Sequence, residues 1–296
     1  MSLSLFRPQT PYLYLTVPLM VLTAFFALPL LWAVGISLQD YSQDLYHPTW
    51  AGLSNYQRLF STPGFWKSLG CTAWFVLGVL PPMVCLPLGL AVLMNGTLRG
   101  MTLFRLVLYL PVITSMVVVG IAWKWLLADN GLINYGLSQL HLGPVPWLTS
   151  PDLAMWSIIM VVVWKGSAYY AMMYLAHLQS LPNELYQAAE IDGASFWQKH
   201  WHITLPHLQP TIAMVATICT IAGVKVFTEL VVMTKGGPIG STHSLVYFIY
   251  DAAFEQLDLS LACAAGLVLM GMLLALSLIQ LRLKHSANTA SESTAN

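Results

Sequence analysis

Six long runs of apolar residues, each wide enough to cross a lipid bilayer, dominate this 296-residue chain. An α-helix rises 1.5 Å per residue, so about 20 apolar residues bridge the ~30 Å hydrocarbon core. Inside hydrocarbon every backbone polar group must find its partner within the protein, which leaves helices or a closed barrel. The runs are too long for barrel strands and show no two-residue alternation. The pattern therefore predicts an all-α, polytopic membrane protein. Its six spans fall at about 12–36, 69–94, 104–127, 154–179, 209–234 and 259–281, within a membrane domain covering 1–284.

Composition excludes the other classes. Only 12 Lys and Arg and 12 Asp and Glu are present, 8% of the chain, against roughly 25% in a soluble domain. Those charges are too few to cover a water-exposed surface. They balance to zero and form no basic block, so nucleic acid is not an expected partner. An apolar share of 57% excludes disorder. Cys71, Cys85, Cys219 and Cys263 lie scattered in apolar stretches and read as small fillers rather than a disulfide or metal framework.

The first apolar run is too long for a cleaved signal peptide, and no A-x-A site follows it, so it is expected to remain as a helix. Arg7, Arg99, Arg105, Lys199, Arg282 and Lys284 fall on one side of the spans. Arg58, Lys67, Lys235 and Lys124 fall on the other. The excess puts both termini in the cytoplasm. Trp66, Trp123, Trp125, Trp147 and Trp156 fall near the opposite boundary, as an aromatic belt would. Residues 285–296 are Ser, Thr, Ala and Asn and read as a disordered tail. Pro81, Pro82 and Pro87 in the second span and Pro111 in the third are candidate kinks.

The chain has no G-x-x-x-x-G-K-[ST], no H-E-x-x-H and no G-x-S-x-G. It is thus not expected to be an enzyme or to bind a cofactor of its own. The loop at about 181–208 is more informative. Pro182 and Asn183 can start a helix, Leu185, Ala188, Ala189 and Ile191 continue it, and Gly193 permits the left-handed turn that ends it. A second short helix from Ser195 to His202, stopped near Pro206, would complete a compact knob suited to docking a partner.

In that loop Ala188-Ala189, Asp192-Gly193-Ala194 and Ile203-Thr204-Leu205-Pro206 stand in register. This gapped pattern resembles the "EAA" loop of the inner-membrane permease subunits of binding-protein-dependent ABC importers. Gly52-Leu53-Ser54-Asn55-Tyr56, the stretch from Arg105 to Pro111, Thr234-Lys235-Gly236-Gly237-Pro238 and Tyr250-Asp251-Ala252-Ala253-Phe254 are similar to elements of the carbohydrate branch of that family. The likeness covers roughly residues 10–284. One departure is Gln187, where the family carries Glu. Another is His200, where an aromatic is usual.

The resemblance implies a type I ABC importer permease fold (MetI-like) in a bacterial inner membrane. It implies a second homologous permease, two ATPase subunits that bind ATP and Mg, an extracytoplasmic solute-binding protein, and lipid around the spans. Glu184, Gln187, Ala188, Ala189, Glu190, Asp192, Gly193, Ala194 and Pro206 would then carry coupling to the ATPase. The solute would be a sugar, oligosaccharide or polyol, with glycerol phosphate or another small solute as an alternative. An ion-coupled secondary transporter remains the reading from another class.

Ionisable residues within spans are costly and usually face a cavity. Lys225 and Glu229 are four apart, so a helix would put them on one face, where they either neutralise each other or line a pathway. Lys165 sits near mid-span, beside Trp164, Tyr169 and Tyr170. That group reads either as helix packing or as a platform for sugar rings. His200, His202 and His207 lack a completing Cys or carboxylate cluster, so no metal is expected.

Overall fold

The computed structural model describes residues 10–41, 48–96 and 100–295, with side chains from 15 to 282. Arg7 and Arg99 lie outside the described residues, and so does the side chain of Lys284. The protein is almost wholly helical. Among the described residues five helices are long and apolar enough to cross a membrane, and one bent pair makes a sixth span. The chain divides into two compact units, one drawn from 1–65 and 248–271 and the other from 66–247 and 272–296.

In the first unit, α1 (Thr10–Leu22), a π turn at Thr23–Ala27 and α2 (Leu28–Ser37) run on as one apolar segment. From Val17 to Trp32 its side chains are exposed, as Phe25 and Trp32 illustrate; a helix apolar all round suits lipid contact. Strands β1 (Gln39–Asp40) and β2 (Thr49–Trp50) pair antiparallel, Gln39 opposite Trp50. The Gly52-Leu53-Ser54-Asn55-Tyr56 element has a local structural job. Buried Asn55 donates from Nδ2 to the carbonyls of Ser37 and Gln39, each at 2.9 Å. The Tyr56 hydroxyl meets Ser37 Oγ at 2.9 Å. These bonds seat α3 (Ser54–Ser61) under the end of α2. Near the other end of this unit Arg58 pairs with Asp258. Asp258 also caps the last helix by accepting from the Leu261 N–H at 2.9 Å.

In the second unit the long helices are α4 (Pro63–Met94), α8 (Pro151–Leu178) and α11 (Leu205–Val224). α8 is the most buried of the membrane-crossing helices. It packs on α11 and on α5 (Met101–Ile113), around a core that includes Phe75, Ile158, Tyr174, Leu208 and Leu230. Between α6 (Met116–Leu126) and α8, the chain folds about α7 (Leu132–Gln139). There buried Asn134 accepts from Val145 N–H and from Trp147 Nε1 and donates to the Val145 carbonyl. The knob follows as α9 (Asn183–Ile191) and α10 (Phe196–Lys199), then α12 (Thr228–Thr234); α13 (Leu245–Tyr250) and α14 (Leu259–Ala295) belong in part to each unit.

The structure redraws several of these expectations. α4 is unbroken through Pro81, Pro82 and Pro87. The third span is instead broken: α5 and α6 meet at 97° across Thr114 and Ser115, both extended. Pro111 cannot donate, and Thr114 Oγ1 takes the Leu110 carbonyl at 3.1 Å, so the helix ends one turn beyond the proline. The fifth span is broken too, because α11 stops at Val224 and α12 starts at Thr228. The second helix of the knob does not stop at Pro206. A π turn at His200–Thr204 carries it into α11, where Pro206 sits in the first turn, a position that needs no N–H donor. At the C-terminus, the stretch 285–296 expected to be disordered has helical backbone as far as Ala295. No Gly or Pro follows Gly271 to end that helix.

The Asn55 bonds generate the first test. Asn55→Ala leaves one buried and one partly buried carbonyl without their donor, at about 1–3 kcal/mol. The thermal midpoint of the detergent-solubilised protein should fall by several degrees; an unchanged midpoint would contradict this account of the element.

Candidate functional site

Two breaks at the heart of the second unit border one cavity of about 280 Å³, lined by side chains of α4, α5, α6, α8, α11 and α12. Its polar lining includes Lys165, Tyr169, Tyr170 and Glu229 among apolar residues such as Phe75 and Val79. This falls at the small end of ligand pockets, which join an apolar wall to a few polar groups.

The charges have a reason to be there. A helix ends with carbonyls that lack partners and with a negative dipole end. Lys165, in the middle of α8, donates from Nζ to the Val112 carbonyl in the last turn of α5, at 3.3 Å. Glu229 occupies the first turn of α12, where the positive end of a helix favours an anion. At the second break Ser244, fully buried, donates to the Val226 carbonyl at 2.8 Å and accepts from the Tyr247 N–H at 3.2 Å. The two broken spans also pack on each other, α6 against α12. A Cβ placed on Gly120 would stand 2.9 Å from Val232 Cγ1, so only glycine lets the two helices come this close.

The sequence grouping is therefore partly redrawn. Lys165, Tyr169, Tyr170 and Glu229 share the cavity. Lys225 does not line it; it caps the end of α11 and is exposed. The break at Lys225–Phe227 removes the shared helical face on which its pairing with Glu229 rested. Trp164 points elsewhere, edge-on to Trp123 with ring centroids 5.4 Å apart. Val112, Ser244 and Gly120 escaped the sequence reading, since each acts through a helix break that no motif marked.

The knob is built from local rules. The Gly193 N–H donates to the Glu190 carbonyl at 3.0 Å, and the Ala194 N–H to the Ala189 carbonyl at 2.9 Å. With Gly193 at φ +76°, this is the glycine-terminated helix end in which two carbonyls are capped at once. Ser195 and Gln198 then cap α10 reciprocally, Ser195 N–H to Gln198 Oε1 at 2.7 Å and Gln198 N–H to Ser195 Oγ at 3.4 Å. Lys199 Nζ meets Glu190 Oε1 at 2.7 Å and ties the two helices together, so Glu190 already has a partner inside the knob. Tyr186, Thr204 and His200 are joined in a chain of hydrogen bonds.

Glu184, Gln187, Ala188, Asp192 and Gly193 are exposed, as is Pro206. Beside them stand Ile191 at 87% exposure, Trp197 at 77% and Trp201 at 69%. A tightly capped elbow thus presents a bare, partly apolar face. Among the described residues no group of three His, Cys, Asp or Glu side chains is placed to hold a metal.

Residues 11–286 match the family described as "Binding-protein-dependent transport system inner membrane component". The lactose transport system permease protein LacF of Rhizobium radiobacter is 30% identical over 285 residues, covering 94% of this chain and 95% of that one. The arabinooligosaccharides transport system permease protein AraP of Bacillus subtilis is 32% identical over 290 residues, covering 95% and 90%. Among solved structures, a chain of a bacterial ABC transporter involved in the import of the acidic polysaccharide alginate superposes with a TM-score of 0.79 at 25% identity, covering 92% of this chain and 95% of that one. A chain of an alginate transporter bound to its pentasaccharide-loaded periplasmic protein gives 0.81 at 23% identity, with 92% and 93% covered.

The elbow yields a direct test. A β-branched residue in the left-handed region costs about 1–2 kcal/mol, while Asn tolerates it. Gly193→Val should speed hydrogen exchange across 183–204, and Gly193→Asn should leave it near the native rate. Equal protection in both variants would show that the elbow does not depend on this backbone turn.

Proposed function

The chain belongs to the family of binding-protein-dependent transport system inner membrane components, and on that premise we propose that it passes a neutral sugar, oligosaccharide or polyol through the cavity between its two broken spans. Relatives named for lactose and for arabinooligosaccharides support a carbohydrate cargo. The observation that carries the reading is the cavity itself, with Lys165 and Glu229 each set against a helix end.

The chemistry suits hydroxyl groups. Lys165 donates, Glu229 accepts, and the tyrosines do both while offering ring faces to sugar C–H groups. With Lys225 outside the cavity its formal charges balance, which favours a neutral cargo over a glycerol phosphate. Family membership sets aside the ion-coupled alternative.

As a transport subunit the chain does no ATP chemistry of its own. The reading assigns that to two partner ATPases, which bind ATP with Mg and grip the face around Ala188, Asp192 and Gly193. Gln187 there can hydrogen-bond but cannot form a charge pair. A second permease would complete the pore, and a solute-binding protein would deliver cargo from outside, with both termini of this chain in the cytoplasm. ATP binding by the partner shifts the knob, and α9 through α11 form one connected path from knob to cavity. The partner must bind one conformation better than the other to do this.

Two tests separate pathway from power. A charge-assisted hydrogen bond lost from the cargo site weakens binding by about 1.5–3 kcal/mol, tenfold or more. In a deletion strain offered a panel of labelled sugars, Lys165→Met and Glu229→Gln should each cut uptake at least about tenfold while the ATPase still copurifies. Normal uptake in both would make the pair structural. Gly193→Val should instead lose copurifying ATPase together with uptake, and normal uptake there would count against coupling through the elbow.

A further inference from the structure

The cavity has one wall that can move. Phe75, Val79 and Met83 follow each other at four-residue intervals along α4, so one helical face carries all three to the cavity. All are buried, and they differ in stiffness. Val is held to one rotamer by its branched Cβ, and Phe moves only as a rigid plate. Met is unbranched and turns about three bonds, so it fills or vacates a gap without moving its helix.

Against Met83 stands Gly166 of α8, which also lines the cavity. A Cβ built there would lie 2.5 Å from Met83 Cε, 3.4 Å from its sulfur and 3.8 Å from the Tyr170 ring. The Met83 methyl thus rests in a notch that only a residue without a side chain leaves open. Elsewhere the same helices interlock: a Cβ on Gly78 of α4 would lie 2.5 Å from Cδ1 of buried Ile159 on α8. The other glycine of the cavity wall, Gly223 of α11, is closed differently. A Cβ there would meet Val76 Cγ2 at 3.0 Å and Val76 Cα at 3.7 Å, a stiff side chain with backbone close behind. Crowding at Gly223 pushes on a helix, whereas crowding at Gly166 pushes on the far end of a flexible side chain. With α4 locked on α8, the free space open to a displaced Met83 methyl is the cavity itself.

We propose that Met83 is the size gauge of the passage, a residue that determines specificity by shape. With its methyl parked against Gly166 the cavity takes its broadest cargo; with the methyl turned inward it takes only slimmer ones. The inference rests on the sugar-passage reading and adds the group that decides which carbohydrates fit. A cavity of about 280 Å³ is small for a ligand site, so one methyl group changes what enters. A methylene's worth of room in an apolar pocket discriminates about 10–200-fold between substrates. Lys165, Tyr169, Tyr170 and Glu229 address hydroxyl groups, which all sugars share. Met83 makes no such bond and acts on breadth alone.

The test measures uptake in a deletion strain carrying the complete transporter, offered labelled neutral carbohydrates of rising size, from a short polyol through a hexose to an oligosaccharide. Gly166→Ala should raise KM for the broadest transported cargo about tenfold or more while the slimmest changes little. Met83→Ala should do the reverse and let in cargo broader than the native limit. Met83→Ala added to Gly166→Ala should recover the broad cargo, because the group being pushed is gone. A purely structural fault would lower uptake of every size alike and would not be rescued. Equal loss across the series without rescue, or an unchanged size profile in Met83→Ala, overturns the proposal. If the native transporter takes up no carbohydrate at all, the passage reading fails first and the gauge falls with it. Native uptake with a size profile indifferent to Met83 leaves that reading standing and removes only the gauge.

Discussion

A helix cannot end inside a membrane without leaving carbonyls and amides unserved, and the organisation of this protein turns on how it meets that constraint. One of its spans is broken at Thr114–Ser115, and α11 stops at Val224, short of the sequence-expected boundary, before the break at Lys225–Phe227. Non-helical backbone at such depth is tolerated only where protein or a polar cavity replaces water. Here α8 supplies Lys165 to the end of α5, and the segment before α13 supplies Ser244 to the Val226 carbonyl in the break after α11. The carboxylate that begins α12 faces the same cavity. Charges that would be costly in an unbroken helix become partners of helix ends.

From this the division of labour follows. α8, the most buried span, is the fixed wall that carries Lys165, Tyr169 and Tyr170. α11 connects the cavity to the knob without a stop, because a π turn absorbs Pro206. The knob is stiff within itself, through its glycine-terminated first helix, the Ser195–Gln198 cap and the Lys199–Glu190 pair. A stiff lever joined continuously to one wall of a cavity can transmit a displacement; a flexible one would dissipate it.

Much of this was legible in the residues. Six apolar runs gave the class, and Gly193 announced the end of α9, since a helix terminating in a left-handed turn nearly demands glycine. The start of the second helix at Ser195 was legible too, although the Ser195–Gln198 cap that fixes it came only with the structure. The breaks were less legible. Pro111 pointed to the right span, but the extended residues come one turn later, where threonine competes for a carbonyl. The break after Val224 carries no proline at all, and a four-residue spacing between Lys225 and Glu229 invited a helix that the backbone does not form. Tertiary packing decided both, through Gly120 against Val232 and through Ser244, residues distant in sequence from the positions they serve.

The claim at the centre is that the cavity beside Lys165 is the passage, opened in turn to each side. The most direct measurement is thiol accessibility of Tyr169→Cys in the reconstituted complex, with the native cysteines replaced and a membrane-impermeant reagent applied to one face at a time. The account predicts labelling from one face without ATP, labelling from the other when the ATPase is trapped with nucleotide, and protection by cargo in either state. Labelling that is indifferent to nucleotide and cargo, while uptake stays intact, would contradict it.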